Sequence, residues 1–287
     1  MVHKMEWYVG SEWQLERKGL HKKVLELQFT KVEKPHPVSE VVIVVERIEN
    51  LNGRESQWLN EESVNIEQTI EMGSALTPID YYLEILVQQM MPGEKGECTI
   101  KTKKPEQEVK IILSLKEIKE SKSIQTLTVP EMYNLAMKYK ENGVKIFKTY
   151  PLFAHEYFAR AAKCLISFKK FENLTKKRDG VAGKDMQDLF IQLQTNLAAC
   201  LLIEKRYDDV IYQTNFVDTM NNPSDKSVYR RAMAYYHKNE FELAHSTIEK
   251  VTDFREKKDF ANLYQKVKDG WKDSNKQYKG MVQKMFG

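Results

Sequence analysis

NLAACLLIEKRYDDVIYQTNFVDTMNNPSDKSVYRRAMAYYHKNEFELAHSTIEKV, residues Asn196 to Val251, contains one pattern twice. Ala198 and Ala232, Tyr207 and Phe241, Val210 and Ala244, and Val217 and Val251 are each separated by 34 residues. A fixed interval of this size is the signature of a stacked helix-turn-helix repeat. The residue types suit that geometry. Small Ala198 and Ala232 let one helix approach its neighbour, and Tyr207 and Phe241 fill the turn before the second helix.

A third, less regular copy lies upstream. Gly143, Phe147, Ala154, Phe158 and Ala161 fall at repeat-like spacing once one residue is dropped near Pro151. Three repeats are the minimum for stability, so the array is just sufficient. The pattern resembles the tetratricopeptide repeat (TPR). A polar segment, Lys176 to Lys184, stretches the interval between the first and second copies and reads as an exposed loop or a lengthened helix end. From about Glu256 a final helix is expected, with Phe260, Leu263, Tyr264, Val267 and Trp271 at helical spacing, capping the last repeat.

Upstream of Lys119 the chain reads mainly as strands. Val24 to Val32 alternates apolar and polar residues, and Val41-Val42-Ile43-Val44-Val45 within Glu40 to Ile48 is a β-branched run typical of a buried strand. Asn52-Gly53 signals a turn, and Ser63 to Met72 alternates again before Gly73. A short helix follows from about Pro78 to Met91, offering Ile79, Leu83, Leu86, Val87 and Met90 to one face. Pro92 to Gly96 reads as a turn, and Cys98 to Lys101 and Val109 to Ile118 as the closing strands. Pro130 is well placed to open the first repeat helix.

The stretch Leu83-Glu84-Ile85-Leu86-Val87-Gln88-Gln89-Met90-Met91-Pro92-Gly93-Glu94 and the strand Val109 to Ile118 resemble the FKBP domain, which larger immunophilins join to TPRs in this order. The expected fold class is therefore an α+β FKBP-like domain, an antiparallel sheet with one short helix, followed by an all-α TPR array. The expected boundaries are 1–119 for a degenerate FKBP-like domain, 120–130 for a linker, 131–254 for three TPRs and 255–287 for the capping helix.

An active FKBP implies an aromatic pocket: a floor tryptophan, a tyrosine, a Phe-Asp pair and an Ala-Tyr-Gly loop. Here Leu83 stands at the floor position, the strand Val41 to Asn50 has no tyrosine, and no Phe-Asp pair follows Asn52-Gly53. Between Thr99 and Val109 there is no room for the loop. The expected domain is non-catalytic. The rival expectation, a chaperone-docked prolyl isomerase with an unusual pocket, requires Tyr81, Tyr82 and Trp58 to rebuild the site.

No phosphate-binding glycine loop and no H-E-x-x-H pattern is present, and the histidines His3, His21, His36, His155, His237 and His245 are scattered, so no cofactor or metal is expected. Cys98, Cys164 and Cys200 form neither a C-x-x-C pair nor an even set, which argues for reduced thiols. A net charge of +4 from 45 basic and 41 acidic side chains gives no case for nucleic acid. No apolar stretch has the length of a signal peptide or membrane span. The expected location is the cytoplasm, with the nucleus as a second compartment.

TPR grooves of co-chaperones hold the C-terminal carboxylates of heat-shock chaperones in a basic clamp, which needs several donors converging on carboxylate oxygens. By resemblance, Lys140, three residues before Gly143, matches the first clamp lysine. Asn196 matches the clamp asparagine of the second repeat, and Lys226 and Arg230 the basic pair of the third. Val144 departs from the pattern, standing where many clamps place asparagine. Lys276 to Met281 resembles the basic-tyrosine-methionine segment that follows the repeats of chaperone-binding FKBPs. The resemblance implies an adaptor or co-chaperone. The likeness to non-catalytic, clock-associated FKBP–TPR proteins implies a kinase partner of the casein kinase 1 class and support of its action on circadian clock substrates.

Overall fold

Six strands, β1 (Glu12–Leu15), β2 (Leu20–Leu27), β3 (Glu40–Glu49), β4 (Glu67–Glu71), β5 (Glu94–Lys103) and β6 (Glu106–Glu120), form one antiparallel sheet in the order β1-β2-β5-β6-β3-β4. The computed structural model describes residues 7–28, 32–103, 106–120, 123–168 and 170–286. The chain divides into two units between Met132 and Tyr133. The β-branched run Val41 to Val45 is buried throughout, as β3 lies between β6 and β4.

Helix α1 (Pro78–Val87) packs on β2 and β5. Its start follows from Pro78 at the first helical position and from Thr77, whose hydroxyl accepts a hydrogen bond from the Asp80 N–H at 3.2 Å. Ile79, Leu83, Leu86 and Val87, with Met90 just beyond, are all at most 3% exposed. Burying five such side chains contributes about 10 kcal/mol before conformational entropy is set against it.

Two acids on α1 hold the loops around it. Asp80 accepts from the Ser56 hydroxyl, from Gln57 N–H at 2.8 Å and from the Thr77 hydroxyl at 2.7 Å. One oxygen of Glu84 accepts from the N–H groups of Gly73, Ser74 and Ala75 at 2.9–3.0 Å.

Several boundaries differ from the sequence expectation. The strand expected over 63–72 shrinks to Glu67–Glu71, because Asn60 caps a 3-10 turn at Glu61–Ser63 and Asn65 takes a left-handed φ of 62°. The helix expected to Met91 stops at Val87; the approaching Pro92 disfavours helical backbone at the residue before it. The turn expected over 92–96 is shorter, since β5 already begins at Glu94. Gly93 makes it, with φ 82° and a hypothetical Cβ 1.8 Å from the Gln28 carbonyl oxygen. The strand expected over 24–32 runs over Leu20–Leu27, and residues 29–31 lie outside the described residues. β1, only four residues long, had no periodic signal to announce it.

In the second unit the helices come in pairs: α2 (Val129–Ile146) with α3 (Pro151–Ile166), α5 (Gly183–Ile203) with α6 (Tyr207–Gln213), and α7 (Asp225–His237) with α8 (Phe241–Ile248). Ala198, Ala232, Val210 and Ala244 are fully buried, and Val217 and Val251 nearly so. Tyr207 and Phe241 each open the second helix of their pair. The irregular first copy packs in the same way. Tyr139 on α2 meets Tyr157 on α3 with ring centroids 6.0 Å apart, and Gly143 lies against the ring of Phe158.

The segment 176–184, expected to be a loop or a lengthened helix end, has both a helical turn and an early helix start. Lys176–Asp179 forms one helical turn, α4, closed by left-handed Gly180, and α5 begins at Gly183. The last helix, α9 (Lys258–Phe286), contributes Phe260, Leu263 and Val267 to a core with Val228, Ala232, Ala244 and Ile248. Past Trp271 its apolar side chains Tyr278, Met281 and Met285 are 58–75% exposed.

Candidate functional site

The first helices of the three pairs bring the four expected site residues onto one strip. On α5, Gln192 and Asn196 are one turn apart and share a face. From one side, the Lys140 ammonium on α2 donates to the Gln192 side-chain oxygen at 3.1 Å. From the other, the Arg230 guanidinium on α7 donates to the Thr195 carbonyl, the residue before Asn196. Lys226 lies one turn before Arg230, in the first turn of α7, and is exposed.

These four differ in what they already hold. Lys140 and Arg230 have protein oxygens as partners. Among the described residues the Asn196 amide and the Lys226 ammonium have neither a hydrogen bond nor an ion pair. Arg230 pairs with no carboxylate among them. Burial pushes its guanidinium below the ordinary arginine value, partly offset by the nearby Cys200 sulfur. Arginine nevertheless stays charged throughout the physiological range. A shielded cation resting on a single neutral carbonyl is under-compensated, and a ligand carboxylate can supply what is missing.

Val144, 56% exposed, stands one turn beyond Lys140 just as Asn196 stands one turn beyond Gln192. The register set by Lys140 and Gln192 therefore places an apolar side chain opposite the Asn196 amide. Sequence reasoning missed Gln192 and the Thr195 carbonyl. A backbone oxygen has no residue-type signature, and Gln192 is recognisable only through the register of α2 against α5.

In the FKBP-like unit Leu83 is fully buried. Trp58 is 8% and Tyr81 3% exposed, so both lie in the core, while Tyr82 sets its ring edge against Tyr81 at 5.8 Å. Asp80 draws the loop carrying Trp58 and Leu59 onto α1. The register pairs Lys103 of β5 with Glu106 of β6, and residues 104–105 lie outside the described residues. An open depression of about 390 Å³ lies on β1, β2, β5 and β6, lined by groups including Glu16, His21, Glu97 and Lys110. The Lys101–Glu108 ion pair, 3.0 Å, forms part of its wall.

Among the described residues no cluster of His, Cys, Asp or Glu could hold a metal ion. The three cysteines are buried and unpaired. Burial pushes the thiols of Cys98 and Cys200 up to about 12 and that of Cys164 up to about 11, so none is a thiolate near neutrality. No described helix is long and apolar enough to cross a membrane.

Two family models match the chain: the BDBT FKBP-like N-terminal domain over residues 13–120, and the Bride of doubletime-like TPR domain over residues 128–212. The crystal structure of residues 1–211 of CG17282 is similar at 46% identity and a TM-score of 0.66, covering 71% of this chain and 98% of that one. Protein Bride of doubletime of Drosophila melanogaster is 49% identical over 286 residues, 98% of this chain and all of that protein. An FKBP-like sheet followed by a TPR array, matched nearly end to end at this identity, places the chain in the Bride of doubletime-like family.

Proposed function

We propose that the chain is a non-enzymatic adaptor whose TPR groove holds the carboxyl-terminal peptide of a protein partner. The observation that carries this reading is Arg230, shielded, charged and, among the described residues, without a carboxylate, beside the Asn196 amide, which likewise has no partner among them. Lys226 supplies a second, solvated cation one turn away, and Lys140 can exchange the Gln192 amide oxygen for a carboxylate oxygen at little cost. Charge-assisted bonds of this kind are roughly twice as strong as neutral ones.

The FKBP-like unit serves in this reading as a binding surface. The aromatic residues that an unusual isomerase pocket would need are spent on the core, Trp58 and Tyr81 foremost. The partner is a kinase of the casein kinase 1 class, whose phosphorylation of circadian clock substrates the adaptor supports in the cytoplasm and nucleus. A heat-shock chaperone C-terminus is a second ligand of the same groove. The near full-length identity to Bride of doubletime and the TPR array support a protein partner.

Calorimetric titration with a peptide ending in Glu-Glu-Val-Asp, and with its amidated counterpart, tests the groove. The expected outcome is micromolar affinity for the free carboxylate, about −8 kcal/mol, that weakens with salt and is lost on amidation or in Lys226→Ala, Arg230→Ala. Equal affinity for both peptide forms would refute carboxylate capture. Co-precipitation of a purified casein kinase 1-class kinase tests the partner, and its absence would overturn that assignment.

A further inference from the structure

The cation strip is one end of a longer surface. The Lys140–Gln192 bond brings α2 beside α5, and the nearness of Tyr133 to Asp185 and Asp188 at their N-terminal ends gives the two helices the same direction. Seven residues earlier on each helix, two turns or about 10 Å away, stand Tyr133 on α2 and Asp185 on α5. Asp185, Asp188, Gln192 and Asn196 follow one another at helical spacing, so all lie on one stripe of α5. The field at the Tyr133 hydroxyl agrees with this placement: burial raises its pKa first, and the charges of Asp185 and Asp188 raise it further.

Both aspartates are exposed, and neither has an ion pair or hydrogen bond among the described residues. The positive end of the α5 dipole accounts for Asp185, which lies in the first turn. It does not account for Asp188, which lies beyond that turn. The same strip therefore carries under-compensated positive charge at Lys226 and Arg230, beside the neutral amide of Asn196, and uncompensated negative charge at Asp188, about 12 Å or eight residues of helix from Asn196.

Resting on the carboxylate reading above, we propose that the groove selects carboxyl-terminal peptides carrying a basic residue three to four positions before the terminal residue. An extended peptide advances about 3.3 Å per residue, so the 12 Å offset corresponds to that spacing. With the terminal carboxylate at Asn196 and Arg230, a lysine or arginine there reaches Asp188 and Asp185. An acidic residue at the same place meets them as like charges.

The test is fluorescence anisotropy of the full chain with two labelled peptides that differ only in having Lys-Lys or Glu-Glu at the third and fourth positions before the terminal Asp. The lysine peptide is expected to bind about three- to ten-fold more tightly at low salt, a preference that shrinks as salt rises. In Asp185→Asn, Asp188→Asn the preference disappears while the glutamate peptide binds at least as well as before. Melting curves confirm that these two exposed substitutions leave the fold intact. Equal binding of the two peptides, or a preference that survives in the double variant, overturns the proposal. Amidated peptides separate the two claims: a lysine preference indifferent to amidation would keep the acidic subsite and refute carboxylate capture. No binding of either peptide would refute both.

Discussion

Lys22→Met is expected to destabilise the FKBP-like unit by about 3 kcal/mol. Lys22 and Glu94 form an ion pair whose side chains are both fully buried. The ammonium also donates to the Gln89 carbonyl at 2.7 Å and lies 4.1 Å from the centre of the Trp7 ring. Removing the lysine alone leaves Glu94 buried without its ion-pair partner, with only the charge of Lys34 still acting on it, and breaking a buried pair costs about 3–5 kcal/mol in general. The lower end applies here, because Glu94 keeps the Trp7 indole N–H at 2.7 Å and the Met91 N–H at 3.0 Å.

The double variant Lys22→Met, Glu94→Gln retains acceptors for those donors and carries no buried charge, so it should recover about 2 kcal/mol of the loss. Urea unfolding followed by tryptophan fluorescence is the assay, since Trp7, Trp13 and Trp58 lie in this unit and only Trp271 outside it. With m of about 2 kcal/mol/M, the single variant's midpoint falls by about 1.5 M. Burial pushes the Lys22 ammonium below its ordinary value of 10.5, so below that value the unfolded chain holds the proton more tightly than the native one. Wild-type stability therefore carries a rising contribution as pH climbs through the window just below 10.5, and Lys22→Met lacks that slope. A single variant costing under about 1 kcal/mol, or a double variant as unstable as the sum of the two singles, would overturn this account of the pair.

Gly143→Ala places a Cβ 2.6 Å from the ring of Phe158, which is only 1% exposed. Overpacking of about 1–3 kcal/mol outweighs a helix-propensity gain of about 1 kcal/mol, so thermal melting should show net loss, relieved when Phe158→Leu is added. Val144→Asn restores a directed amide opposite Asn196, and calorimetry should show the carboxylate peptide binding about five-fold more tightly, or roughly 1 kcal/mol. Removing residues 276–287 should move the melting temperature by under about 2 °C, because the described side chains there are nearly all exposed. Leu263→Ala, in the same helix but 2% exposed, should cost about 2–4 kcal/mol in the same assay.

Features that depend on periodicity and side-chain volume were legible in the amino-acid sequence. The 34-residue interval located Ala198, Ala232, Val210 and Ala244 in the core, since a residue one repeat further on meets the same neighbours. The β-branched run located β3, and the spacing of Ile79, Leu83, Leu86, Val87 and Met90 located the buried face of α1. The short β1 and the single turn α4 escaped, because four residues carry no period.

Which charges are satisfied and which are not emerges from the three-dimensional packing alone. Arg230 and Arg231 are adjacent and alike in the sequence, yet Arg231 pairs with Asp218 from the preceding repeat while Arg230 rests on a bare carbonyl. The fates of Lys22 and Lys226 diverge in the same way, one sealed against Glu94 and the other left to solvent. Charge compensation is a matter of distances between residues far apart in the chain, and residue type alone does not carry those distances.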